Sequence, residues 1–479
     1  MVTWRHVEFP SQSYPMSIYL HNSLSGKKEL FTPITPKKLK MYVCGMTVYD
    51  DCHIGHARTQ IAFDVIVRYF RFCGFDVTYV RNITDIDDKI IKRANDNGES
   101  TDALVERTIK SMYDDLDRLN ILRPDFDPRA TETIPEMCKM IEVLINKGFA
   151  YAGGNGDVYY RVEKFEGYGK LSKQSLEHLH IGARIESNED KQNPLDFVLW
   201  KASKPHEPSW ESPWGKGRPG WHIECSAMSK KLLGDHFDIH AGGSDLKFPH
   251  HENEVAQSEA ANSCTFANYW LHSGMVQVNE EKMSKSLNNF FTIKEVLAEY
   301  HPEVVRFFLI SGQYRSEINY SKENLSQARS ALERLYTAVR GIEIDETTTL
   351  PEDREKYIDE FKAAMNNDFN TPEALPVLFA LAREINKHRH DDMNQAASYA
   401  RLLLMLSGVL GLLHCPVEEY FKNSGDRTLA NDEIDKLIAQ RVAAKKNKDY
   451  RTADAIREEL AKAGILLEDT PTGTVWKRG

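Results

Sequence analysis

The first half of the chain alternates strand-like and helix-like runs, and this order restricts the fold more than any other feature of the sequence. Residues 41–45, Met-Tyr-Val-Cys-Gly, read as a strand ending in a glycine turn. Residues 55–73 carry Ile61, Val65 and Tyr69 at the i+4 spacing of an amphipathic helix, and Gly74 follows as a cap. Residues 77–83 read as a second strand and 84–88 as a polar loop. A helix over 102–119 sets Leu104, Thr108, Met112 and Leu116 on one face. Strand, helix, strand, helix predicts an α/β fold with a parallel sheet covered by helices. Ligands of such sheets bind beyond the carboxyl ends of the strands. Cys44, Thr84 and His240 stand at such ends, so they can converge on one crevice.

The alternation is interrupted once. A helix over 137–144 ends at Gly148, and residues 150–151 and 158–160 flank Gly153-Gly-Asn-Gly156, a hairpin signal. Residues 123–200 are therefore expected to form an insertion. Alternation resumes at 197–200 and continues through a helix that starts near Trp221 and ends before Gly234. A short strand, 237–240, then runs through Ala241-Gly-Gly-Ser244 into a helix reaching Glu254. From residue 321 the pattern is helical, with Leu325, Leu332, Leu335, Leu375, Leu378, Leu381 and Ile385 as its apolar stripe. The polar stretch 418–431 is a candidate linker. One helix over 434–462, stopped by Gly464, and a strand pair at 465–467 and 475–476 close the chain.

The expected organisation follows. Residues 1–15 form an extension without order. Residues 16–122 and 201–265 are the two halves of a nucleotide-binding domain around the insertion. Residues 266–320 connect, 321–417 form a helical bundle, and 432–479 form a small mixed α/β domain. A chain of 479 residues suits about three domains, and 41% hydrophobic residues suffice for their cores. No run reaches the roughly 18 apolar residues of a membrane span, and the N-terminus carries no apolar h-region. The cytoplasm is the expected compartment. Seven scattered cysteines, with no CxxC pair, argue against a disulfide scaffold. A net charge of −10 disfavours a general nucleic-acid binder. Base is nevertheless concentrated after Lys436, at Lys445, Lys446, Lys448, Arg451, Arg457, Lys477 and Arg478.

Two short motifs carry chemistry. His53-Ile54-Gly55-His56 lies in a strand–loop–helix setting. Imidazoles at a helix N-terminus can contact phosphate oxygens, and Gly55 lets a planar base approach the backbone. Lys282-Met283-Ser284-Lys285-Ser286 places two lysines on a small polar loop, suited to charge developing on a triphosphate. Either alone also fits an ordinary surface feature. Together and in this order they are the two signatures of class I aminoacyl-tRNA synthetases.

The chain resembles the cysteinyl-tRNA synthetases from about Met16 to Trp476. The matching segments are MYVCGMTVYD (41–50), HIGHAR (53–58), YVRNITDIDDKIIKRA (79–94), GWHIECSAMS (220–229), DIHAGGSDLKFPHHENEVAQSEA (238–260), KMSKSLNNF (282–290) and GILLEDTPTGTVW (464–476). The resemblance implies a class I Rossmann-type domain with an insertion, followed by a tRNA-binding α-helical bundle and a small anticodon-binding domain. It implies one Zn2+ held by Cys44, Cys225, His250 and Glu254. His250 and Glu254, four apart on a predicted helix, share a face. All four are competent zinc ligands. Cys52, Cys73, Cys138, Cys264 and Cys415 match no such pattern and are read as structural.

By the same resemblance, Gly45, Thr47, Thr84, Trp221 and His240 form the amino-acid pocket. His53, Gly55, His56, Gly242, Gly243, Asp245 and Lys285 bind ATP, accompanied by Mg2+. His53, His56, Lys282 and Lys285 are the catalytic set. Lys445, Tyr450, Asp454, Arg457 and Asp469 are the anticodon candidates. The implied partners are L-cysteine, ATP and tRNA(Cys), with no membrane, and the implied enzyme is a monomer. Two other functions start from the same residues: a ligase that passes cysteine to an amino sugar, and a silent binding protein on a synthetase scaffold. The terminal tRNA-reading segment argues against the first. The intact motifs and zinc set argue against the second.

Overall fold

Four parallel strands, Lys38–Thr47, Asp76–Thr84, Phe237–Gly243 and Ala267–Ser273, form the central sheet of the computed structural model. The structure describes residues 17–177, 190–278, 281–282, 289–345, 347–423, 429–470 and 473–478. In space the sheet runs Ala267–Ser273, Phe237–Gly243, Lys38–Thr47, Asp76–Thr84. The first two strands in sequence and the last two therefore extend the sheet in opposite directions. The switch point lies between Lys38–Thr47 and Phe237–Gly243, where α/β sheets open a crevice at their carboxyl ends.

Several strands and helices differ from their sequence reading. The first strand continues past Gly45 to Thr47, with an irregular register against its neighbour between Val43 and Met46. The loop after Thr84 leads into a helix, Asp88–Asn97, that the sequence pattern hides: its buried side is only Ile90, Ile91 and Ala94. The strand Phe197–Ala202 belongs to a separate antiparallel sheet with Ala150–Ala152, Val158–Tyr160 and Gly217–Pro219. That sheet thus extends beyond residue 200, and the parallel alternation resumes only at the helix Trp221–Leu233. After Gly243 the chain passes through short turns of helix before Glu252–Asn262.

The helix Ile54–Phe72 is rooted in the segment after residue 300. Buried Arg58 donates to the carbonyls of Leu309, Gln313 and Ser316, and buried Asp64 pairs with Arg306 of the helix Pro302–Ile310. Amphipathic helices Lys322–Val339, Arg354–Asn366, Thr371–His388 and Met393–Val409 pack beyond it. The C-terminal region has two helices where the sequence suggests one, Asn431–Lys446 and Tyr450–Lys462. Between them Lys448 takes a positive φ of 61°, and Asp449 restarts the helix by accepting from the Thr452 amide at 3.1 Å. These helices and the strands Ile465–Thr470 and Gly473–Arg478 enclose a small core of Ile434, Ile438, Ile456, Leu460, Ile465 and Trp476.

Candidate active site and metal centre

The strand Lys38–Thr47 supplies Cys44, the helix Trp221–Leu233 supplies Cys225, and the segment after Gly243 supplies His250 and Glu254. All four are buried, and one ligand atom from each lies within 4.8 Å of the others. The two sulfurs are 3.8 Å apart, Cys44 Sγ is 3.4 Å from Glu254 Oε1, and His250 Nε2 is 3.0 Å from the same oxygen. Two thiols, an imidazole and a carboxylate converging in this way can hold a metal ion. An overlapping group, Cys44, His240 and His251, shares one sulfur with it. None of Cys52, Cys73, Cys138, Cys264 or Cys415 enters such a group among the described residues.

The electrostatics of the four donors are interlocked. Burial pushes the Cys225 thiol up, but hydrogen bonds with Cys44 and His250 outweigh it and hold the group at about 6. Burial and the neighbouring Cys225 push the Cys44 thiol well above its usual range. Burial opposes ionisation of Glu254 as well, yet His240 and His250 hold its carboxyl well below the usual range. Burial opposes the charge on His250 too, and Glu254 and Cys225 overcome it, raising the imidazole to about 10. A metal ion therefore has to displace protons from His250 and Cys44 to bind.

Supporting side chains surround the donors. His222 Nδ1 is 3.0 Å from His250 Nδ1, and His251 Nε2 is 3.2 Å from Cys44 Sγ. His251 in turn meets His272, which meets Ser23, each at 2.8 Å. The sequence reading missed His222, His251 and His272; His-His at 250–251 was the one visible signal. His240 was expected to line the amino-acid pocket. In the structure it is fully buried, stacked on Trp270 at 4.3 Å, with Nε2 2.7 Å from Glu254 Oε2. It therefore also braces a metal donor.

Gly45, Thr47 and Thr84 lie at the carboxyl ends of their strands, and Trp221 opens the helix Trp221–Leu233. Trp221 is 36% exposed, so it is no core residue, and its ring stacks on His250 at 4.1 Å. Thr84 pairs in register with Thr47 and bonds Glu224 at 3.0 Å. Gly45 is obligatory: a β-carbon there would collide with the Asn82 carbonyl. Gly242 and Gly243 are buried at the end of their strand, and Asp245 follows on an exposed turn.

His53 and His56 open the helix Ile54–Phe72 as a reciprocal cap. His53 Nδ1 accepts from the Gly55 amide at 3.1 Å, and His56 Nδ1 accepts from the His53 amide at 3.3 Å. The rings stack with centroids 3.6 Å apart. Accepting at Nδ1 puts each ring's proton on Nε2. Burial, then the neighbouring His53, hold His56 well below its usual range, so it acts as a neutral donor. Lys282 ends a short strand, Glu281–Lys282; Lys285 lies outside the described residues, as do residues 1–15. Backbone bonds from Ile54 to Phe291 and from Ile293 to Cys52 tie the segment after the lysine motif to the histidine motif.

In the C-terminal region Tyr450 is 63% exposed. Asp469 is engaged: Arg441 holds it with two bonds of 3.0 and 3.1 Å, and Lys445 adds a third at 2.8 Å. Both side chains stay about half exposed, Lys445 at 42% and Asp469 at 52%.

The parallel sheet, its switch point and the paired motifs define a class I aminoacyl-tRNA synthetase. Residues 30–330 match the family of tRNA synthetases class I (C) catalytic domain, 360–414 a DALR domain, and 430–476 a cysteinyl-tRNA ligase anticodon binding domain. The chain is 68% identical over 459 residues to the cysteine–tRNA ligase of Francisella philomiragia, covering 96% of this chain and 99% of that one. Identity and coverage are the same for the cysteine–tRNA ligase of Francisella tularensis subsp. novicida. It belongs to the cysteine–tRNA ligase family. The fold is also that of Mycobacterium tuberculosis methionyl-tRNA synthetase in complex with methionyl-adenylate (TM-score 0.53, 16% identity, 78% of this chain and 89% of that one). A ternary complex of Agrobacterium radiobacter K84 LeuRS with tRNA and LeuAMS shares it too (TM-score 0.55, 12% identity, 83% and 86%).

Proposed function

We propose that this chain activates L-cysteine with ATP and transfers it to the terminal adenosine of tRNA(Cys), and that a zinc ion selects the thiol. The observation that carries the zinc reading is the convergence of Cys44, Cys225, His250 and Glu254 beside the crevice at the sheet's switch point. The donor set fits zinc, which takes sulfur, nitrogen and oxygen ligands in four-coordinate sites. Zinc there supplies a Lewis acid that favours a thiolate over an alcohol. Shape alone would separate serine from cysteine by only ~1–3 kcal/mol.

The chain's own residues orient and neutralise. Gly45, Thr47, Thr84, Trp221 and His240 wall the small substrate. Its carboxylate attacks the α-phosphorus of ATP, giving cysteinyl-adenylate and pyrophosphate. His53 and His56 present Nε2–H to the phosphates, and Lys282 and Lys285, with Mg2+, neutralise the leaving charge. Gly242, Gly243 and Asp245 serve the adenosine. A ribose hydroxyl of the tRNA then attacks the activated carbonyl and releases AMP. No side chain acts as nucleophile, so positioning and electrostatics carry the rate. Tyr450 stacks on an anticodon base, with Asp454 and Arg457 beside it. Asp469 and Lys445 shape that surface through Arg441. Action as a monomer in the cytoplasm completes the reading.

Charging of total tRNA with labelled cysteine tests it, with serine in parallel and a third sample stripped of zinc. Cysteine-specific charging that fails on metal removal is expected. Cysteine-dependent pyrophosphate release without charged tRNA would instead favour the amino-sugar ligase. No activation by zinc-loaded protein would overturn the reading.

A further inference from the structure

Arg58 has no role in the chemistry above, and its surroundings are costly for a guanidinium. It stands two residues after His56 on the helix Ile54–Phe72 and is 2% exposed. Its partners are the backbone carbonyls of Leu309, of Gln313 at 2.7 Å and of Ser316 at 3.2 Å, and Nε is buried with no partner among the described residues. Burial pulls the guanidinium down to about 10, and no carboxylate among the described residues lifts it, so it is a buried charge without a counter-ion at neutral pH. Such a group is a poor source of stability, and its presence calls for another explanation.

The turn that Arg58 grips is a junction. The Gln313 carbonyl accepts from Arg58, and the Gln313 side chain donates to Asp368, which is 3% exposed. Asp368 also accepts from the Tyr314 hydroxyl at 3.1 Å, from Arg315 Nε at 2.7 Å and from the His21 amide at 2.8 Å. On a third side the Gly274 amide donates to the Tyr314 carbonyl at 2.8 Å, and the Ile318 amide to the Met275 carbonyl at 3.0 Å. The approach is close: a β-carbon on Gly274 would collide with the Ser316 carbonyl. The strand Val276–Val278 then pairs with Ile318–Tyr320 on one edge and with Glu281–Lys282 on the other. A short path of fixed links therefore runs from His56 through Arg58 and this turn to the strand that ends in Lys282.

We propose that Arg58 is a positioning residue for the activation step: by clamping residues 309–316 it fixes the histidine-bearing helix relative to the sheet that ends in Lys282. The proposal rests on the cysteine-activating reading. The two motifs reach the triphosphate from different elements, so an error in their separation falls on the reacting phosphate. A misplacement of about 1 Å caused far from the chemistry can cost about a hundredfold in rate. Transfer to tRNA differs, because the charge that both motifs neutralise has by then left with pyrophosphate. The three carbonyls also account for the residue type: the planar guanidinium carries five N–H bonds in a fixed fork, whereas a lysine is a point charge on a flexible stem.

Separating the two half-reactions tests the role. Zinc-loaded wild type, Arg58→Lys and Arg58→Met are compared in cysteine-dependent ATP–pyrophosphate exchange and in single-turnover transfer to tRNA(Cys) from cysteinyl-adenylate already formed on the protein. The expected result is a fall in the kcat of exchange of about tenfold for Arg58→Lys and about a hundredfold for Arg58→Met. The KM for cysteine, the zinc content and the transfer rate should stay unchanged. A loss shared equally by transfer, or no loss in exchange, would make Arg58 a packing residue and overturn the proposal. Asp368→Asn keeps Arg58 and loosens the turn from its other face, so it decides the matter if neither Arg58 variant folds. Exchange should then fall by a smaller factor with transfer unchanged, and equal losses or none would again overturn the proposal. Wild type without exchange would overturn the activation reading and this role with it, whereas exchange by wild type with no split in the variants would overturn the role alone.

Discussion

The metal pocket and the C-terminal region solve recognition in opposite ways. In the pocket all four donors are buried and three are braced: Glu254 by His240, His250 by His222, Cys44 by His251. In the C-terminal region the core is six side chains, and the recognition candidate Tyr450 projects into solvent. The difference follows from the ligands. A small amino acid that differs from a competitor by one atom has to be distinguished by preorganised groups away from water. A nucleic acid offers stacking faces over a wide surface, which exposed aromatic and basic side chains read additively.

The comparison breaks if the two regions fail to separate activation from charging. The largest effect is expected for Cys225→Ser, which should lose the metal and abolish cysteine-dependent pyrophosphate exchange and charging together; metal analysis beside both assays checks it. Lys285→Ala should come next, slowing activation with the metal retained, and an undiminished activation rate would refute its role. His222→Ala should weaken metal binding by about tenfold to a hundredfold, the usual cost of losing a group that orients a ligand; chelator competition measures it.

Proton competition sharpens the same point. His250, raised to about 10, and Cys44, also raised, are protonated in the metal-free protein at neutral pH. Metal binding releases those protons, so affinity should rise with pH and fall in acid. Competition titrations at pH 6.5 and 8, ~neutral values that bracket the working range, would show no change in affinity if the donors were already deprotonated. The smallest effects belong to the C-terminal region. Tyr450→Ala should raise the KM for tRNA and leave pyrophosphate exchange untouched. Asp469→Asn should cost about 1 kcal/mol of local stability, because Asp469 is itself half exposed and the amide keeps one acceptor for the buried Arg441 guanidinium.

The sequence made the pocket legible because its donors lie in segments whose spacing and chemistry agree. Cys44 near a strand end, Cys225 on the helix after Gly220, and His250 and Glu254 four apart do meet. Depth was not legible. The strand that carries His240 runs on to Gly243, and the contact of His240 with Glu254 was not visible in the sequence. Pairing partners were not legible either. The apolar run at 197–200 does not distinguish a parallel from an antiparallel neighbour, and it pairs with the insertion's hairpin. Asp469 looked free because its partner Arg441 lies 28 residues earlier, on another element. The break at Lys448 escaped notice because it depends on one backbone angle.

The most direct test of the central claim is spectroscopic. Cobalt placed in the site of Cys44, Cys225, His250 and Glu254 reports sulfur ligation through its charge-transfer absorption. Saturating cysteine should add sulfur-to-metal intensity, and serine at the same concentration should add none. A spectrum indifferent to cysteine would contradict the claim that this buried metal reads the substrate's thiol.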